Sequence, residues 1–237
     1  MEEKIENNFR QGFKDGLPIG LGYLSVSFTF GMIAIAGGMP IEVAVLISLT
    51  NMTSAGQFAG LTLMFANGSL IEMALTQLVI NIRYALMSLS LSQKLAKRVT
   101  TPKRCLIAFA NTDEIFAVAS SKTGKIGEYY MYGLAILPII GWTSGTFLGA
   151  AINSLLPAAF QSAFGIAIYG MFIAIVVPPA KHSKRITKIV IFTILLSCMF
   201  AYVPIFKQIS SGFAIILCAV IASAIGAYLF PIEEVES

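Results

Sequence analysis

The chain has 237 residues, of which 57% are hydrophobic and only 12% charged, against about 25% charged in an ordinary soluble domain. With a mean hydropathy of +0.81, this composition excludes a water-soluble globular protein and leaves room for roughly six to eight membrane crossings of ~20 apolar residues each. The formal charge of +4 orients such a chain in a bilayer, because loop Lys and Arg set sidedness, and it does not indicate nucleic acid.

In chain order, the N-terminus carries Glu2, Glu3, Lys4 and Glu6 and lacks the basic, apolar, small-residue order of a cleaved signal. The first apolar segment, 17–38, is therefore expected to be retained. Apolar runs follow at 41–66, 70–93, 105–120, 130–153, 157–178, 186–206 and 209–230, which predicts an all-α polytopic membrane protein. Segment 41–66 is broken at its centre by Thr50-Asn51-Met52-Thr53-Ser54-Ala55-Gly56-Gln57. Segment 105–120 is short and contains Asn111, Thr112, Asp113 and Glu114, so it is expected to re-enter or to lie at the interface. Glycines crowd 17–38 and 130–153, which predicts tightly packed helices there.

Lys94, Lys97, Arg98, Lys103 and Arg104 form one basic loop, Lys122 and Lys125 a second, and Lys181, Lys184, Arg185 and Lys188 a third. All three are expected on the cytoplasmic side. Lys4, Arg10 and Lys14 favour a cytoplasmic start, which makes 41–66 a re-entrant hairpin and gives six crossings. An outer start makes 41–66 cross, gives about seven crossings and inverts the half 17–93 relative to 130–206. Inverted repeats are common in transporters, so the seven-crossing arrangement is preferred, within a single transport domain spanning 1–237.

Arg83 lies midway along 70–93, where a central Arg costs roughly 2.5 to 3.5 kcal/mol. It either meets a solute, alongside Gln77 and Asn81, or snorkels or pairs with Asp113 or Glu114 as scaffolding. The break at Asn51, Thr53, Ser54 and Gln57 can present backbone amides and carbonyls to a charged solute. Close packing through Gly56 and Gly60 is the other reading. Asp113 and Glu114 can carry a coupling proton, balance Arg83 or sit at the wet surface. Two acids so close do not readily both ionise when buried.

Several chemistries are excluded. His182 is the single histidine and lies in a basic loop, which rules out His-ligated haem, the His-Glu-x-x-His motif and a Ser-His-Asp triad. No Gly-x-x-x-x-Gly-Lys-Ser/Thr loop occurs, and Cys105, Cys198 and Cys218 lack metal or disulfide spacing. No enzymatic activity, metal or cofactor is expected.

Four strings occur in order: Gly16-Leu17-Pro18-Ile19-Gly20-Leu21-Gly22-Tyr23, Thr53-Ser54-Ala55-Gly56-Gln57-Phe58, Asn81-Ile82-Arg83-Tyr84 and Thr112-Asp113-Glu114. Together they resemble the AzlC family, the larger subunit of bacterial branched-chain amino acid exporters. Tyr84 stands where many relatives have histidine, so a protonatable role is not carried to it. The resemblance implies a multi-pass protein of the bacterial cytoplasmic membrane that exports Leu, Ile, Val or similar small apolar amino acids. It also implies a small AzlD-type membrane subunit as partner. Asn51, Thr53, Ser54, Gln57, Asn81 and Arg83 are the candidate substrate contacts. Asp113 and Glu114 are the candidate proton carriers of an exporter driven by the proton motive force. A passive channel and a non-transporting assembly or sensor subunit are the alternatives.

Overall fold

Hydrocarbon offers no partner to a backbone amide, so a chain of this composition must satisfy its peptide groups inside helices. The computed structural model describes residues 5–152, 173, 176–177, 180–206 and 208–230, and it is helical almost throughout them. Helices α1 (Phe9–Ala36), α2 (Ile41–Thr50), α3 (Ala55–Phe65), α4 (Leu70–Lys94), α5 (Thr101–Phe109), α6 (Asp113–Ser121) and α7 (Glu128–Ile152) come first. After them stand α8 (Lys184–Tyr202), a 3-10 turn (Pro204–Phe206) and α9 (Ser211–Leu229). Two short strands, β1 (Ile5–Glu6) and β2 (Lys125–Ile126), pair in parallel with Ile5 beside Lys125.

Among the described residues five helices, α1, α4, α7, α8 and α9, are long and apolar enough to cross a membrane. The 25 residues of α4 rise about 38 Å, more than the ~30 Å of hydrocarbon. The expected segment 157–178 lies largely outside the described residues, as do Lys207 and the acids Glu233, Glu234 and Glu236. Both irregular segments are broken. Segment 41–66 divides into α2 and α3, and Ser54 between them takes a left-handed φ of 41°. Segment 105–120 is not one short piece but two helices, α5 and α6, flanking Ala110, Asn111 and Thr112. Helix α5 begins earlier than expected, at Thr101, with Pro102 in its first turn, where a missing N–H costs nothing.

The chain divides into two units, Met1–Gln57 with Asn81–Ile168 and Phe58–Ile80 with Tyr169–Ser237. In the first, α1 and α7 lie against each other on their glycines. A Cβ on Gly16 would stand 2.5 Å from the Leu134 carbonyl oxygen, and one on Gly20 would stand 2.7 Å from that of Leu137. Gly12 meets Tyr130, and Gly31 meets Thr146. Because both numbers rise together, α1 and α7 run parallel. Their N-terminal ends share one side, where β1 pairs with β2 in the second basic loop. Lys94, at the C-terminus of α4, bonds the Ser120 carbonyl at that same side, so α4 runs the opposite way.

This corrects the expected outer start. The N-terminus lies with the basic loops, and 17–38 is not inverted relative to 130–153. Helix α1 finishes at the far side, and α2 follows it there. Arg10 and Lys14 govern sidedness, and the interspersed acids carry no weight against them. Segment 101–121 enters from the basic side and returns to it.

The basic end is closed by a core that includes Ile115, Ala119, Ile126, Tyr130 and Leu134, each fully buried. Buried Glu128 there accepts from Lys103 at 2.8 Å and faces Arg98 at 3.7 Å. The bond to Glu128 raises the Lys103 ammonium above its ordinary pKa. Asp15 pairs with Lys122 at 2.6 Å.

In the second unit α8 packs on α9, with Ile189 in van der Waals reach of Gly226. Glu72, in the first turn of α4, accepts from the Ser210 hydroxyl and from the Gly212 N–H at 3.0 Å. It thereby caps α9 from another helix, the placement that a helix dipole favours for an anion.

Candidate functional site

A polar side chain inside a membrane helix must find partners within the protein, and here α1, α2 and α7 supply them to the two breaks. At the first break, the Asn51 side chain accepts from the Thr53 N–H at 3.1 Å, which turns the chain out of α2. The turn brings Gln57, 3% exposed, beneath Trp142, 1% exposed. The Trp142 indole N–H donates to Gln57 Oε1 at 2.8 Å, and Gln57 Nε2 donates to Ser48 Oγ at 2.8 Å. Ser48 and Thr146 hydroxyls meet at 2.7 Å, and Thr146 reaches the Trp142 carbonyl at 3.1 Å. Each hydroxyl has one proton. Thr146 spends its own on that carbonyl, so Ser48 donates to Thr146. The four residues, all buried, close a directed ring of hydrogen bonds.

The Trp142 ring also stands edge-on to Tyr23, with centroids 5.3 Å apart. Tyr23 belongs to α1, and its hydroxyl bonds Thr112 at 2.6 Å and also Glu114, both at the second break. One residue before Glu114, Asp113 holds Arg83 at 2.5 Å. The guanidinium lies 4.8 Å from the Tyr84 ring centroid and bonds the Tyr84 hydroxyl at 3.2 Å. The side chains of Arg83 and Asp113 are 45% and 43% exposed, so this ion pair is open to exchange while the Gln57 ring is not. The buried Gln57 ring and the polar group of Tyr23, Thr112 and Glu114 are therefore joined through the Tyr23–Trp142 aromatic contact.

One atom in each break has unused bonding capacity. Thr53 Oγ1 in the first break and Asn111 Oδ1 in the second are buried without a hydrogen-bond partner among the described residues. Asn111 is anchored by its amide nitrogen, which donates to Ser88 Oγ at 3.0 Å. Such orphans are rare in native proteins and call for an explanation.

Among the sequence-predicted residues, Gln57 joins the buried ring, Asn51 and Thr53 shape the first break, and Ser54 supplies its strained turn. Arg83 meets Asp113, Glu114 meets Tyr23, and Asn81 is half-buried on α4 two residues before Arg83. Sequence reasoning missed Tyr23, Ser48, Trp142 and Thr146 as parts of the site, and it noted Asn111 without giving it a role. Ser48 and Thr146 are hydroxyls inside otherwise apolar runs, and Trp142 is the single tryptophan. Those are faint signals, since hydroxyls often satisfy their own helix.

A family model described as AzlC protein matches residues 18–156. The chain is 33% identical over 174 residues to inner membrane protein YgaZ of Escherichia coli K12, covering 65% of this chain and 71% of that protein. It is 32% identical over 175 residues to an uncharacterized membrane protein of Archaeoglobus fulgidus, covering 73% and 76%. An uncharacterized membrane protein of Helicobacter pylori 26695 is 30% identical over 155 residues, covering 62% of this chain and 67% of its own. No solved structure matches the chain.

Proposed function

This chain belongs to the AzlC family, and from that premise we propose that it is a secondary transporter exporting branched-chain or similar apolar amino acids across the bacterial cytoplasmic membrane. The observation that carries the reading is the half-open ion pair of Arg83 with Asp113, set directly after the break between α5 and α6. Discontinuous helices at mid-depth are where secondary transporters seat small charged solutes.

The chemistry follows from the groups present. A zwitterion is neutral overall, so it enters hydrocarbon depth only if both of its ends are bonded. Its carboxylate exchanges with that of Asp113 on the Arg83 fork, one anion for another, at little electrostatic cost. Its ammonium takes Asn111 Oδ1 and the released Asp113 or Glu114. Asn51, Thr53, Ser54 and Gln57 at the first break, and Asn81 on α4, are the further candidate contacts. The apolar side chain lies against the cluster of Tyr23, Met52 and Trp142. Asp113 and Glu114 take up the coupling proton when substrate leaves, which links export to the proton motive force. Six crossings with a cytoplasmic N-terminus and an AzlD-type small subunit complete the proposal.

The test is efflux from cells preloaded with a leucine dipeptide, with and without a co-expressed small subunit. Export above the vector control, saturable and abolished by a protonophore, is expected. Equal efflux from vector and protein-bearing cells overturns the proposal.

A further inference from the structure

The last turns of α4 and the first turns of α5 border a cavity of about 210 Å³ on the basic side of the first unit. Leu91, Leu95 and Ile107 form its apolar walls, and Ser88, Ser92 and Arg104 are its polar groups. An apolar cavity of about 150 Å³ takes benzene, whereas drug-sized ligands need roughly 300 Å³ or more. The space therefore suits one small molecule and is too small for a lipid. Cys105 also lines it and is exposed, so the cavity is open to a solute.

Arg104 is fixed there by neutral partners. Its Nε donates to the Val99 carbonyl at 3.0 Å and its Nη1 to the Ser92 carbonyl at 3.1 Å. Two of the five guanidinium N–H donors are spent in this way, and three remain. The carbonyls hold the fork but cancel none of its charge. The described acids of the first unit are engaged or distant. Asp15 pairs with Lys122, Glu128 with Lys103 and Arg98, and Asp113 with Arg83. Glu114 accepts from Tyr23, and Glu6, on the strand beside Lys125, accepts from the Asn8 N–H at 3.2 Å. Glu42 stands in the first turn of α2, beyond the far end of α1. Among the described residues no carboxylate forms an ion pair with Arg104.

We propose that this cavity binds a small apolar carboxylate from the cytoplasm, its anionic end on Arg104 and its hydrocarbon chain against Leu91, Leu95 and Ile107. The carboxylate takes two of the remaining guanidinium donors, the fork geometry that arginine presents to a planar anion. An ammonium group meets only the Ser88 and Ser92 oxygens and no anion, so the cavity reads the carboxylate and the chain and is indifferent to the amino group. Ser88 follows Arg83 by five residues on α4, a rise of about 7.5 Å, and its hydroxyl accepts from Asn111 in the α5–α6 break at 3.0 Å. The cavity thus lies on the cytoplasmic side of the Arg83–Asp113 pair. That it serves there as the entry site of an exported amino acid rests on the export reading above.

The test is alkylation of Cys105 by N-ethylmaleimide in the purified full-length protein, read by peptide mass spectrometry, with exposed Cys198 of the second unit as internal control. Leucine should slow Cys105 saturably, about tenfold at roughly ten times its Kd, and leave Cys198 unchanged. Isocaproate, which lacks the amino group, should protect as leucine does, and leucinamide, which lacks the carboxylate, should not. Arg104→Gln should abolish protection. Ala108→Leu, which fills the cavity and keeps the guanidinium, should do the same and guards against a misfolded Arg104 variant. An unreactive Cys105, equal rates with and without leucine, protection by leucinamide, failure of isocaproate to protect, or protection that survives both variants overturns the proposal. Protection by palmitate alone marks a lipid groove and overturns it as well. In proteoliposomes, leucine counterflow without Cys105 protection removes this site and leaves export standing, whereas protection without counterflow keeps the site and removes export.

Discussion

Trp142→Phe keeps an aromatic ring and removes one donor, so Gln57 Oε1 is left buried and unpaired. An unsatisfied buried acceptor costs about 1 to 3 kcal/mol, and thermal unfolding of the purified variant by circular dichroism should show a loss of that size. Adding Gln57→Leu removes the orphaned acceptor, and the double variant should be more stable than the sum of the singles, the mark of two groups in one network. Arg83→Lys and Arg83→Gln separate charge from geometry. The lysine keeps a cation but loses the planar fork that takes a carboxylate by two bonds, so leucine efflux should fall about tenfold or more, one lost charge-assisted bond being worth roughly 1.5 to 3 kcal/mol. The glutamine variant should match the vector control. Arg83, Asp113 and Gln57 were legible in the sequence because charge and amide are costly in an apolar run. Tyr23 and Trp142 were not, because nothing in an amphipathic aromatic residue tells a core side chain from a relay.

At the scale of helices, the parallel pair α1 and α7 makes opposite predictions for two glycines. A Cβ on Gly145 would strike the Leu24 carbonyl and the Ser27 hydroxyl, whereas one on Gly22 meets nothing within 4 Å. Gly145→Ala should therefore destabilise by about 1 to 3 kcal/mol, the usual cost of overpacking. Gly22→Ala should be neutral or stabilise by up to ~1 kcal/mol through helix propensity. Comparison of the two melting temperatures in one detergent checks both. Glu72→Gln keeps an acceptor for Ser210 and Gly212, but Glu72→Ala removes it. The alanine variant should lose about 1 kcal/mol or more than the glutamine one, the scale of a lost helix cap. The helices themselves were readable from apolar run length, and the break at Asn51 to Gln57 from its polarity. The division of 105–120 into two helices was less visible, because Asn111 and Thr112 are tolerated inside a helix by propensity alone.

For the whole molecule, sidedness is the part that sequence reasoning turned the wrong way. The preference for inverted repeats favoured an outer start, and the parallel run of α1 with α7 puts the N-terminus on the side of the Lys122 and Lys125 loop instead. With the native cysteines replaced, Asn7→Cys and Thr123→Cys should resist an impermeant maleimide in intact cells and react in inverted vesicles, while Ala66→Cys should react in intact cells. The break between α5 and α6 leads into the half-open pair of Asp113 with Arg83, the proposed seat of solute in an alternating site. Counterflow of labelled leucine in proteoliposomes tests that most directly, since it needs a saturable site that faces each side in turn and requires no driving force. The native protein should accumulate label transiently against excess internal leucine, and Arg83→Gln should not. A native protein without transient accumulation, or an Arg83→Gln variant equal to it, would contradict the account.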